Sequence, residues 1–96
     1  MPRQTGTFHT AHASKYLQQM CKHFAHKVEV NYDPTHGEAK MPFGTATFDA
    51  TDELLTVTLD AQAPEQLDKA RDVIDVHLQK FAFREEFDGM NWEEAV

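Results

Sequence analysis

Ninety-six residues, 41% of them hydrophobic and 26% charged, are enough for one core and too few for two, and too apolar for a disordered acidic tail. The longest apolar runs are two or three residues, as at Phe81-Ala82-Phe83, so no segment is expected to cross a bilayer. A formal charge of −7 has the wrong sign for neutralising phosphates, which argues against nucleic acid as a partner.

The opening residues, Met1-Pro2-Arg3-Gln4-Thr5-Gly6-Thr7, lack the apolar stretch and cleavage site of an export signal, so the chain is expected to stay in the cytoplasm. Weak alternation over residues 4 to 9 predicts a strand with Phe8 inward and Thr5, Thr7 and His9 on the other side. Thr10 is placed to cap a helix from about Ala11 to His26, on which Ala13, Tyr16, Leu17, Met20, Cys21 and Phe24 recur at the spacing of one face. Val28, Val30 and Tyr32 then alternate with polar residues, and Asp33-Pro34-Thr35-His36-Gly37 carries the Pro and Gly of a five-residue hairpin connection. On the return strand Ala39 and Met41 face inward, whereas further along Ala46, Phe48 and Ala50 do, so the parity changes near Phe43-Gly44. A bulge at Gly44 in one long bent strand over 38–50 accounts for the change, with a tight turn as the alternative.

Thr51-Asp52-Glu53 leads into another strand, in which Leu55, Val57 and Leu59 alternate with Thr56, Thr58 and Asp60. Pro64 suits the first turn of a second helix, with Leu67, Ala70, Ile74, Leu78 and Phe81 as its inward stripe as far as about Ala82. Beyond it, Phe83, Phe87, Met90 and Trp92 are too apolar to be left in water together, so the tail over 84–96 is expected to pack back on a single domain, 1–96. The order β-α-β-β-β-α predicts an α+β fold: an antiparallel sheet of four to five strands with both helices packed on one face. Its reverse, carrying Glu29, Asn31, Thr45, Thr47, Thr56 and Thr58, is then wet or the interface of a homodimer.

Charge is unevenly spread. Up to Phe48 there are five Lys and Arg against three Asp and Glu, a balance of +2; beyond it four face thirteen, a balance of −9. Five of the six histidines also lie in the first half. Helical geometry limits what they can ligate. Cys21 and His23 point about 160° apart, and His12 and His23, though on one stripe, stand about 16 Å apart along the axis. Only His23 and His26, at i and i+3, can reach one ion from this helix, with a third ligand such as Glu29 supplied from elsewhere. His77 sits at the edge of the second helix's apolar face, between Val73 and Phe81, and is a candidate buried polar group needing a hydrogen-bond partner.

His9 with Thr45, Thr47 and Lys40 makes a candidate anion cluster on the Thr-rich face. Cys21, the only cysteine, excludes an internal disulfide, and its place inside a helix suits a core-edge thiol better than a nucleophile. Glu65, Asp68, Asp72 and Asp75 read as a solvated outer side of the second helix, partly relieved by Lys69 and Arg71. The sequence holds no Gly-rich phosphate loop, nucleophile elbow or dinucleotide fingerprint, so nothing in it calls for a cofactor or an enzyme.

At Met20-Cys21-Lys22-His23-Phe24-Ala25-His26-Lys27-Val28-Glu29-Val30 the chain resembles a family of small bacterial domains of unknown function, found alone or attached to siderophore-interacting ferric reductases. Pro42-Phe43-Gly44-Thr45-Ala46, Phe81-Ala82-Phe83-Arg84-Glu85-Glu86 and Trp92 agree with it, so the likeness covers nearly the whole chain. Asp88-Gly89-Met90-Asn91 and Glu93-Glu94 fall outside the shared pattern. The resemblance implies no reaction. It implies a link to iron-siderophore handling and a protein partner such as a siderophore-interacting reductase, and it marks Cys21, His23, His26, Gly44, Arg84 and Trp92 as motif positions. The expectation drawn is a non-enzymatic accessory or binding module with Lys22, His23, His26 and Lys27 as the ligand or partner surface. A metal-binding protein using His23 and His26 and a structural homodimer are the alternatives.

Overall fold

Both helices lie on one face of a six-stranded antiparallel sheet in the computed structural model, which describes residues 2–94. The elements are β1 (Arg3–His9), α1 (Ala13–Phe24), β2 (Val30–Tyr32), β3 (His36–Met41), β4 (Gly44–Ala50), β5 (Leu54–Ala61), α2 (Pro64–Phe81), a 3-10 turn (Phe83–Glu85) and β6 (Asn91–Trp92). The sheet order is β2-β3-β4-β5-β1-β6. Six strands replace the expected four to five for two local reasons. The stretch expected as one bulged strand is a tight hairpin, in which Met41 pairs with Gly44 across Pro42-Phe43. Pro at the second turn position is pre-set in φ, and Gly44 at the fourth takes φ +147°. The odd offset from 41 to 44 is the parity change in the sequence. The sixth strand comes from the tail, where Asn91 and Trp92 pair with Thr7 and Gly6.

The alternation decides which face is dry. In register across the sheet lie Ala39, Ala46, Leu59 and Gln4 in one row and Gly37, Phe48, Val57 and Gly6 in the next, all of them buried on the helix-bearing face, with Gly6 against the Trp92 ring. Burying each large apolar side chain of this set contributes about 1.5–3 kcal/mol. The α1 residues Ala13, Tyr16, Leu17, Met20, Cys21 and Phe24 are all buried, as their spacing predicts, as are Leu67, Ala70, Ile74 and Leu78 of α2. Phe81 is only half-buried.

Other boundaries move for identifiable reasons. Helix α1 stops at Phe24, two residues before the expected end, because Lys27 N–H turns back to the Phe24 carbonyl at 2.9 Å. Val28 N–H bonds to Phe24 O as well, so β2 begins only at Val30. The hairpin connection shortens to Asp33–Thr35, since the Asp33 carboxylate accepts Thr35 N–H and His36 N–H, each at 2.8 Å, and returns the chain to the ladder early. Those donors hold the Asp33 carboxyl below its ordinary value.

After α2 the chain is tied to the rest by polar contacts as well as by buried Phe87 and Met90. Glu85 accepts hydrogen bonds from the Thr10 hydroxyl at 2.7 Å and from the Tyr16 phenol. Burial first, and then the Glu85 carboxylate, push the Tyr16 phenol up to about 12. Asp75, expected to be solvated, accepts Met90 N–H at 3.0 Å and Trp92 Nε1–H at 3.1 Å. Met1, Ala95 and Val96, the ends of the expected 1–96 unit, lie outside the described residues. Among the described residues no helix is long and apolar enough to cross a membrane.

Candidate functional site

An apolar groove opens where the end of α1, the middle of α2 and the β3–β4 turn meet. Two adjoining depressions form it. One, of about 300 Å³, is lined by His23, Phe24, Lys27, Val28, Met41, Pro42, Val73 and His77. The other, of about 340 Å³, shares Met41, Pro42 and Val73 with the first and adds Phe43, Gln66 and Lys69. The helix α2 contributes Gln66, Lys69, Val73 and His77 because residues three and four apart share a face. The turn contributes Pro42 and Phe43 because the hairpin closes in two residues.

The floor of the groove is apolar and its rim is basic. Among the described residues none of the side chains lining either depression is acidic, although the chain as a whole carries −7. The ring of His23 lies 4.7 Å from that of His77, centre to centre, and His77 meets Phe24 edge-on at 5.0 Å. Desolvation first, then the charges of His77, His26, Lys27 and Lys80, hold the His23 imidazole below its ordinary value. Half-buried His77 donates its Nδ1–H to the Val73 carbonyl at 2.6 Å, one helical turn back. A carbonyl only accepts, so this bond places a proton on Nδ1, and in the neutral ring the lone pair then lies on Nε2.

Of the four residues expected to form a ligand surface, His23 and Lys27 line the groove. Exposed Lys22 and His26 are not among its lining residues. His26 lies just past the end of α1, in a turn where its N–H bonds back to the His23 carbonyl at 3.3 Å, so the i, i+3 spacing with His23 persists although only His23 lines the groove. Glu29, the suggested third ligand, pairs instead with Lys40 at 3.0 Å. His9, Thr45, Thr47 and Lys40 do not form one cluster, because Thr45 sits between Lys40 and Asp60 while His9 pairs with Leu54. Cys21 is fully buried, packed against Gly37, and its thiol is pushed up to about 12 by burial. It is therefore protonated at neutral pH and unavailable as a nucleophile. Sequence reasoning missed Met41, Pro42, Gln66, Lys69 and Val73 as site residues. The parity change at Phe43-Gly44 was the one available signal, since a turn there puts Pro42 at the end of the β3–β4 hairpin.

A family model described as "Uncharacterized protein conserved in bacteria (DUF2218)" matches residues 5–93. Among solved structures, the NMR structure of PA4090 from Pseudomonas aeruginosa is similar, with a TM-score of 0.80 and 27% sequence identity over 97% of this chain and 96% of that one. No curated protein shows significant similarity to the chain.

Proposed function

The chain belongs to the DUF2218 family of uncharacterized proteins conserved in bacteria, and from its own geometry we propose that it is a non-enzymatic binding module for an amphiphilic anion. The observation that carries this reading is the groove of about 300 Å³ whose floor is Phe24, Val28, Met41 and Val73 and whose rim is His23, Lys27 and His77. An apolar floor favours a ligand with a hydrophobic body, and a few convergent polar groups orient it. In a chain of net charge −7, Lys27 and Lys69 beside a lining without acidic side chains select locally for negative charge against the field of the whole molecule. Ferric catecholate siderophores, which combine aromatic rings with negative charge, have this character, and the reductases that strip iron from them are the matching protein partners.

Calorimetric titration with ferric catecholate and ferric carboxylate siderophores tests the reading. Binding is expected to perturb the resonances of His23, Lys27, Met41 and Val73, and Lys27→Glu is expected to weaken it by about tenfold, or 1.4 kcal/mol. Neither heat nor shifts with any chelate, nor with a siderophore reductase, would remove it. A second reading, a homodimer through the reverse of the sheet, is favoured by the Thr5, Thr7, Thr45, Thr47, Thr56 and Thr58 face, which no element of the chain covers among the described residues.

A further inference from the structure

We propose that His23 and His77 together form a site for a divalent first-row transition metal ion, bridging α1 and α2 at the mouth of the groove. This replaces the His23–His26 pair suggested by sequence spacing, and it stands on the histidine geometry rather than on the anion-binding reading. With metal–nitrogen bonds of about 2.0–2.1 Å, an ion lies about 3.2 Å from the centre of each imidazole it binds, so two rings sharing it stand about 4.5–5.2 Å apart for angles between 90° and tetrahedral. The His23 and His77 centroids are 4.7 Å apart with planes tilted by 54°, inside that range.

For His77 the second shell is already in place. A ligating histidine commonly donates its other nitrogen's proton to a carbonyl or carboxylate, which fixes the ring and its tautomer. His77 does this through Nδ1–H to Val73 O at 2.6 Å, leaving Nε2 as the ligating atom. The ring is further held edge-on to Phe24 at 5.0 Å. Because the two imidazoles belong to different helices that pack together, their spacing is held by the fold and not by one flexible segment. Imidazole donors suit zinc, nickel and copper over magnesium, calcium or manganese. No group of three or more His, Cys, Asp and Glu gathers among the described residues, so two protein nitrogens leave the remaining coordination positions to water or to oxygen donors of a ligand in the groove. Lys27 and Lys80, whose charges act on His23, oppose a bare divalent ion there and so favour anionic donors in those positions.

The test uses tag-free protein titrated with zinc, nickel or manganese ions alone, followed by calorimetry and by imidazole resonances. Zinc and nickel are expected to bind well below about 1 mM and manganese far more weakly, following the ligand preference of imidazole. His23→Gln and His77→Gln should each weaken nickel binding by at least about tenfold, while His26→Gln leaves it within about twofold. Unchanged thermal melting of the three variants without metal would establish that they fold. The proposal is overturned if the native protein binds none of these ions at about 1 mM, or if His26→Gln abolishes binding that His77→Gln leaves intact.

Discussion

Gly44 carries the β3–β4 turn with φ +147°, and a Cβ on it would run into the Asp60 carbonyl oxygen of the neighbouring strand. Both the backbone region and the clash oppose any larger residue. Gly44→Ala is expected to lower unfolding free energy by about 2–4 kcal/mol, read from denaturant midpoints. Tyr16 offers a second test at this scale. Its phenol is held near 12 by burial and then by Glu85, so it stays protonated in the folded protein beyond the point at which an unfolded tyrosine ionises, about 10. The unfolded chain then binds fewer protons, so stability falls as pH rises from about 10 towards about 12. Ultraviolet titration should show one tyrosine ionising near 12, and Glu85→Gln should lower that midpoint without returning it to the ordinary value, because burial remains. Neither Tyr16 nor Glu85 could be paired from the sequence: they are sixty-nine residues apart, and no periodicity links the two.

Single-element signals were strongest where one face is buried. The α1 and α2 stripes and the inward sets of β1, β4 and β5 follow directly from spacings of three or four and of two. Element ends were weaker signals, because they depend on single hydrogen bonds such as Lys27 N–H to Phe24 O. β6 was invisible, since two residues carry no alternation. It is held by pairing with β1 and by Asp75, which accepts from Met90 N–H and from the indole N–H of Trp92. Asp75→Asn leaves one of those donors facing an amide N–H instead of an acceptor. A loss of about 1–3 kcal/mol is expected, with the emission of Trp92, the only tryptophan, moving to longer wavelength as β6 detaches. An unchanged spectrum and midpoint would show that the Asp75 bonds do not hold the tail.

At the scale of the whole molecule, the reverse of the sheet and the groove mouth are two surfaces left uncovered among the described residues. The reverse is threonine-rich and lined by ion pairs, Arg3 with Asp60 at 2.8 Å and His36 with Asp49 at 2.8 Å. Exposed pairs of this kind contribute about 0–1 kcal/mol each and leave the face wettable. If that face joins two copies, sedimentation will show a dimer that Thr47→Lys and Thr58→Lys dissociate, since like charges placed opposite one another repel. A native protein that sediments as a monomer at all concentrations removes the homodimer reading.

By itself the sequence determined the α+β class, the residues that each helix and central strand turn inward and the threonine-lined reverse, because amphipathic periodicity is a local property written into neighbouring residues. Only the tertiary structure decided the strand count, the tail's anchoring on Asp75 and the meeting of His23 with His77. Those depend on which distant elements pack side by side, and the distance between two side chains on different helices is set by the shared core beneath them, not by their separation along the chain.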